Sequence, residues 1–165
     1  MIAFLDVDYR DAGAVAAAVL ACDWADAAPA AEVVAHIPVV AEYVPGEFYR
    51  RELPCLLAVL DRCPQPPDVL VVDGYVWLGP DRPGLGARLF EALGRRTPVV
   101  GVGKTCFRSA AGVATPVYRA GSNQALWVTA AGSSPAATAV AVRDMHGPHR
   151  LPTLIKRVDH LCRNA

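Results

Sequence analysis

With 165 residues, 53% of them apolar and 19% charged, the chain has the composition of one globular domain. A chain of that length buries roughly two-thirds of the surface it exposes when unfolded. Sixteen basic residues offset sixteen acidic ones, so there is no global field to draw in nucleic acid, although a local basic strip is compatible with that balance. The five cysteines are scattered and never spaced as CxxC, which argues against a zinc site and a secreted disulfide scaffold. There is no basic, then apolar, leader and no apolar run near the roughly 20 residues that span a bilayer, so the chain reads as cytoplasmic, with no membrane partner.

In chain order, Met1–Tyr9 opens as an apolar strand and puts Asp6 and Asp8 on one face, because strand side chains alternate with period two. Ala14–Ala21 reads as a second strand, with helix as its competitor because alanine favours it. Valine-rich Glu32–Val40 gives a third, completing a three-stranded antiparallel meander. Pro45-Gly46 breaks the chain. Glu47–Arg62 then carries apolar residues at near-helical spacing, with Pro54 inside the pattern, where it either kinks the helix or marks a fresh first turn. Glu52 stands just before that point, where its carboxylate can turn toward a neighbouring strand end.

After the linker Cys63–Pro67, Val69–Val72 shows no polar alternation, as suits a strand covered on both faces in the middle of a parallel sheet. Asp73 therefore stands at a strand's carboxyl end, the edge where open α/β sheets bind ligands; the plain alternative is an aspartate that merely opens a turn with Gly74. Tyr75–Pro83 reads as a loop, Leu85–Leu93 as an amphipathic helix stopped by Gly94, and Pro98–Gly103 as a second buried parallel strand, which together make a βαβ unit. Gly103-Lys104-Thr105 does not complete a phosphate-binding loop, since proline stands at position 98 where that motif requires glycine. Val117–Thr129 reads as a hairpin around Gly121–Asn123. Ser133–Met145 reads as a capped helix and Leu154–Cys162 as a last short one.

If the first strand lies beside the one ending at Asp73, Asp6 and Asp73 meet at one cleft and Glu52 enters from the intervening helix. Three carboxylates without matching cations point to a hard divalent cation, Mg²⁺ or Mn²⁺, of the kind that serves phosphodiester hydrolysis. Lys104, at the end of the next strand, is placed to neutralise a phosphate oxygen. Solvated surface acids and a solvated lysine are the bland alternative.

Several motifs carry a family resemblance over nearly the whole chain: Phe4–Tyr9, Tyr43–Pro54, Val71–Gly74, Arg82–Gly86, Pro98–Thr105 and Arg150–Pro152. With these the chain resembles endonuclease V. The resemblance implies an RNase H-like α/β fold, with a mixed central sheet of an antiparallel meander followed by parallel strands, flanked by helices. It implies one domain over residues 1–165 that lacks the N-terminal helical segment usual in relatives. Mg²⁺-dependent cleavage of DNA, and in some members RNA, is implied one nucleotide to the 3′ side of inosine. Asp6, Glu52 and Asp73 fall on the metal-binding carboxylates, Lys104 on the strand-end lysine, and Asp159, with His160 as a fallback, on a further ligand position. Tyr43, Val44, Pro45 and Gly46 fall on the wedge that separates strands, and Tyr75 on the nucleic-acid surface.

The segment after Gly74 departs from the family, with Tyr75-Val-Trp-Leu-Gly79 where a histidine-bearing stretch is usual, so the pocket wall differs. Trp77 either enlarges an apolar base pocket or closes over the core. Gly103 replaces a common alanine. The alternative to an enzyme is an endonuclease V-like protein that binds nucleic acid with weak or no cleavage.

Overall fold

The computed structural model describes residues 1–42, 44 and 46–165; Tyr43 and Pro45, two of the residues the resemblance assigns to the wedge, lie outside the described residues. Strand β1 (Ile2–Arg10) pairs antiparallel with β2 (Gly13–Ala21), and β2 with β3 (Ala31–Ile37), which is the expected meander. All nine residues of β2 are buried. Its alanines favour helix by well under 1 kcal/mol each, and that local preference yields to a place inside the sheet, where small side chains let helices pack on both faces. Helix α1 (Tyr49–Leu60) runs through Pro54 without a break, so the proline deletes one rung in the second turn and neither ends nor restarts the helix.

Strand β4 (Val69–Asp73) pairs parallel with β1 and with the later strand β7 (Val99–Gly103). The stretch between them is more ordered than a loop. Trp77–Gly79 (β5) and Arg82–Pro83 (β6) form a small hairpin, and helix α2 (Leu85–Ala92) follows, with Gly94 at φ +64° ending it. Trp77 donates from Nε1 to the Ala130 carbonyl (2.9 Å) and packs against the core, so of its two readings the structure takes the closure of the core. Strands β8 (Thr115–Val117) and β9 (Leu126–Ala131) are the arms of the expected hairpin, β9 lying antiparallel to β7. Helices α3 (Pro135–Asp144), capped by Ser134, and α4 (Thr153–Asn164) complete the chain.

The strand order is β3-β2-β1-β4-β7-β9-β8. Leu5, Leu70 and Val72 point to the face covered by α1 and α2, while Phe4, Val71 and Val102 point to the face covered by α3 and α4. The loop between β8 and β9 is tied down by Arg119, only 6% exposed, whose guanidinium donates to the carbonyls of Arg143, Met145, His149 and Arg150. Carbonyls left without partners at the end of α3 thereby solvate a buried cation.

The segment leaving β4 is pinned by glycines. A Cβ on Gly101 would lie 2.7 Å from both the Gly74 oxygen and the Val76 nitrogen, and 2.8 Å from Thr129 Oγ1. Gly84 and Gly86 hold the same segment from the other side, donating to the carbonyls of Val76 (2.8 Å) and Tyr75 (3.2 Å). Gly101→Ala is therefore expected to lower the unfolding free energy by about 1–3 kcal/mol, the usual cost of overpacking. Gly112, whose added Cβ meets nothing within 4 Å, is the control. Gly112→Ala should stay within about 0.5 kcal/mol of wild type in urea denaturation.

Candidate active site

Extending the register Phe4↔Val71 and Leu5↔Val72 by one residue sets Asp6 beside Asp73, on neighbouring strands and on the same face. Because Asp73 pairs with Val102, Lys104 emerges two residues further on, just past the end of β7, on that face as well. Its Nζ donates to Asp73 Oδ2 at 2.6 Å. Glu52 arrives from the first turn of α1 and Asp159 from the middle of α4. Asp6, Glu52, Asp73, Lys104 and Asp159 all line one pocket of about 380 Å³ at the carboxyl edge of the sheet. His160 is exposed and is not among its lining residues, so the two C-terminal candidates separate.

The electrostatics follow from this crowding. Burial, followed by repulsion from Asp6 and Asp73, raises the Glu52 carboxyl to about 8. Burial raises Asp6 to about 6; the Val7 N–H at 2.8 Å opposes that rise, and Asp73 adds to it. Burial works against the Lys104 ammonium, yet Asp73, Asp6 and Asp159 outweigh it and hold its pKa above the ordinary lysine range. Asp8 is neutralised by Arg10 (3.1 Å) and Asp159 by Arg163 (2.9 Å). The Arg51 guanidinium, next to Glu52 in the chain, lies 4.0 Å from the Tyr9 ring centroid. Among the described residues, neither Asp6 nor Glu52 has an ion-pair partner.

A buried and a half-buried carboxylate, both without an ion-pair partner, beside a third are a donor set for a hard cation. Among the described residues no three His, Cys, Asp or Glu side chains form a ready-made metal cage. Mg²⁺ does not require one, since it keeps several waters and takes only one or two carboxylates along with substrate phosphate. The residues present therefore fit an open site of that kind.

A second pocket, about 340 Å³, adjoins the acidic one and shares Phe48, Glu52, Asp73 and Gly74 with it. Its further walls include Tyr49, Tyr75, Arg82 and Phe107. Phe48 and Phe107 are 44% and 41% exposed, and the Arg82 guanidinium sits 5.8 Å from the Phe107 ring centroid. Of the described residues that the resemblance assigns to the wedge, Val44 is exposed and Gly46 lines this pocket. Nothing lies within 4 Å of an added Cβ on Gly46, so glycine is required there by φ +83° and not by close approach.

Sequence reasoning did not single out Phe48, Phe107, Gly84, Gly86 or Gly101. The available signal was the Gly-Val-Gly of β7, since glycine inside a strand marks close approach by another backbone. Arg150 has an observable role too. It donates to the carbonyls of Lys104 (2.9 Å) and Ala125 (3.2 Å), fastening the backbone that carries the lysine.

A family model described as Endonuclease V matches residues 1–152. The endonuclease V of Streptomyces avermitilis is 33% identical over 182 residues, covering 98% of this chain and 78% of that protein. A crystal structure of endonuclease V from the same organism superposes with a TM-score of 0.80 at 32% identity, over 98% of this chain and 79% of that one. Endonuclease V of Ciona intestinalis, solved in complex with DNA containing an inosine followed by a ribo-adenosine, shares the fold at 16% identity and a TM-score of 0.78, over 98% and 83% of the two chains. Fold and acidic cleft together define an α/β protein of the endonuclease type. The chain belongs to the endonuclease V family.

Proposed function

We propose that this protein is an RNase H-like, divalent-metal-dependent endonuclease that hydrolyses a phosphodiester one nucleotide to the 3′ side of inosine in DNA, and in RNA where the sugar fits. The observation that carries this reading is the pocket shared by Asp6, Glu52 and Asp73, with Lys104 bonded to Asp73 at its rim. Asp6, Glu52 and Asp73 would hold Mg²⁺, or Mn²⁺ in its place, and Asp159 would orient from α4. When bound, the cation supplies an activated water and charge neutralisation at the leaving oxygen.

The chain's own groups do the rest. Lys104 presents its ammonium to a phosphate oxygen as charge develops there, and Asp73 keeps that ammonium aimed. The aromatic pocket beside the carboxylates takes the altered base, turned out of its stack, against Phe48, Tyr75 and Phe107. The wedge Tyr43–Gly46 fills the space that the base vacates. The DNA complex of the Ciona relative supports the choice of inosine.

Single- and double-stranded DNA and RNA oligonucleotides with one inosine are the test, each incubated with Mg²⁺, Mn²⁺ or EDTA. A single cut one nucleotide 3′ of inosine, lost in EDTA, is the expected result. Tight binding of inosine DNA without any product at saturating Mg²⁺ and Mn²⁺ would replace the enzyme by a binding protein.

A further inference from the structure

Tyr75 does more in this structure than border the aromatic pocket. Its ring occupies the space on β7 that a side chain at Gly103 would need. A Cβ on Gly103 would stand 2.5 Å from Tyr75 Cε2 and 2.8 Å from Cζ, closer than any real contact. From that seat the phenol reaches the segment that follows Lys104. Its hydroxyl donates to the Thr105 carbonyl at 2.7 Å and accepts from the Phe107 N–H at 3.2 Å. The two rings also meet, with centroids 6.2 Å apart.

Residues Thr105–Phe107 are exposed and belong to no helix or strand, so these two bonds fix a stretch that has little else to fix it. Lys104 is held at its own carbonyl by Arg150 and one residue later by Tyr75, so two successive carbonyls of its backbone are fastened. The base of Tyr75 is equally fixed, since Gly84 and Gly86 grip the Tyr75–Val76 backbone.

We propose that Tyr75, seated on the side-chain-free surface of Gly103, is a positioning residue that sets both the Lys104 ammonium and the Phe107 wall of the aromatic pocket. The inference rests on the nuclease reading above. Tyr75→Phe keeps the ring in its seat and removes both hydrogen bonds, so it isolates the clamp from the packing. Its kcat on inosine DNA should fall about tenfold, because the lysine matters most as charge develops, and KM should rise by a smaller factor as the Phe107 wall loosens.

Gly103→Ala should impose a similar loss by pushing the ring off its seat. In a Tyr75→Ala background, with no ring to displace, the same Gly103→Ala change should cost less than twofold, a non-additivity that independent structural damage does not produce. Hydrogen exchange supplies a readout that needs no catalysis. In Tyr75→Phe the amides of residues 105–108 should exchange at least about tenfold faster while those of β1 and β4 hold their wild-type rates. If wild type fails to cut, the nuclease reading falls and the exchange arm still decides the clamp. Unchanged exchange at 105–108 in Tyr75→Phe, or an equal cost of Gly103→Ala with and without the Tyr75 ring, overturns the proposal.

Discussion

Asp73→Ala is expected to cut incision of an inosine-containing oligonucleotide by at least about 10³-fold, a loss of the size seen when preorganised charge stabilisation is removed from a reacting centre. Asp73 is the hinge of the arrangement. It sits at the end of the central parallel strand, lines both pockets and receives the Lys104 ammonium at 2.6 Å. Its removal takes away a proposed metal ligand and also frees the lysine that faces phosphate. Stability should change little. The Asp73–Lys104 pair is about one-third exposed on each side, and pairs of that kind contribute roughly 0–1 kcal/mol. A variant that melts within a few degrees of wild type yet no longer cuts is the expected outcome. Cutting within tenfold of the wild-type rate would remove Asp73 from the mechanism.

The second large effect concerns pH and cation together. Glu52 is held at about 8 in the folded protein against an ordinary 4.5, and Asp6 at about 6 against 3.8. A carboxyl whose proton affinity is raised by folding contributes stability that is complete below its unfolded value and is lost as pH climbs through its folded value. In EDTA, then, the protein should be most stable near pH 4–5 and should weaken steadily up to about pH 9. The fully developed loss from Glu52 is on the order of 5 kcal/mol.

Glu52→Gln should flatten that slope, melt above wild type at pH 8.5, and show no incision. Mg²⁺ or Mn²⁺ favours the charged carboxylate, so adding it at pH 8.5 should raise the wild-type melting temperature and leave Glu52→Gln nearly unmoved. A wild-type Tm that stays flat from pH 5 to 9 in EDTA would contradict the burial and crowding that carry this expectation.

The strands that build the pocket were the most legible part of the chain. Val69–Val72 and Val99–Val102 are continuous apolar runs, and only a strand covered on both faces makes such a run useful. Asp6 and Asp73 followed, because a carboxylate directly after such a run marks the edge where ligands sit. Glu52 was harder to see. Nothing in its local pattern tells a buried helical glutamate from a solvated one; its place just before Pro54 points toward a strand end, and the family motif around it marks it as a ligand position.

Other features depend on what passes overhead, which no local pattern records. The strand state of the alanines in β2 is imposed by helices on both faces, and the helix through Pro54 by the packing of Leu56 and Val59 beyond it. Gly103 reads in the sequence as a mild exchange for alanine; in space it makes room for the ring of Tyr75. The burial of Arg119 was equally invisible, because its partners are backbone carbonyls scattered over residues 143–150.

The parallel pairing of β1 with β4 joins residues as far apart as Ile2 and Val69. A chain emerging from the ribosome therefore carries Asp6 long before Asp73 exists, and the two stand side by side only once β4 pairs with β1. On the nuclease reading, the acidic pocket is assembled only when this long-range loop has closed.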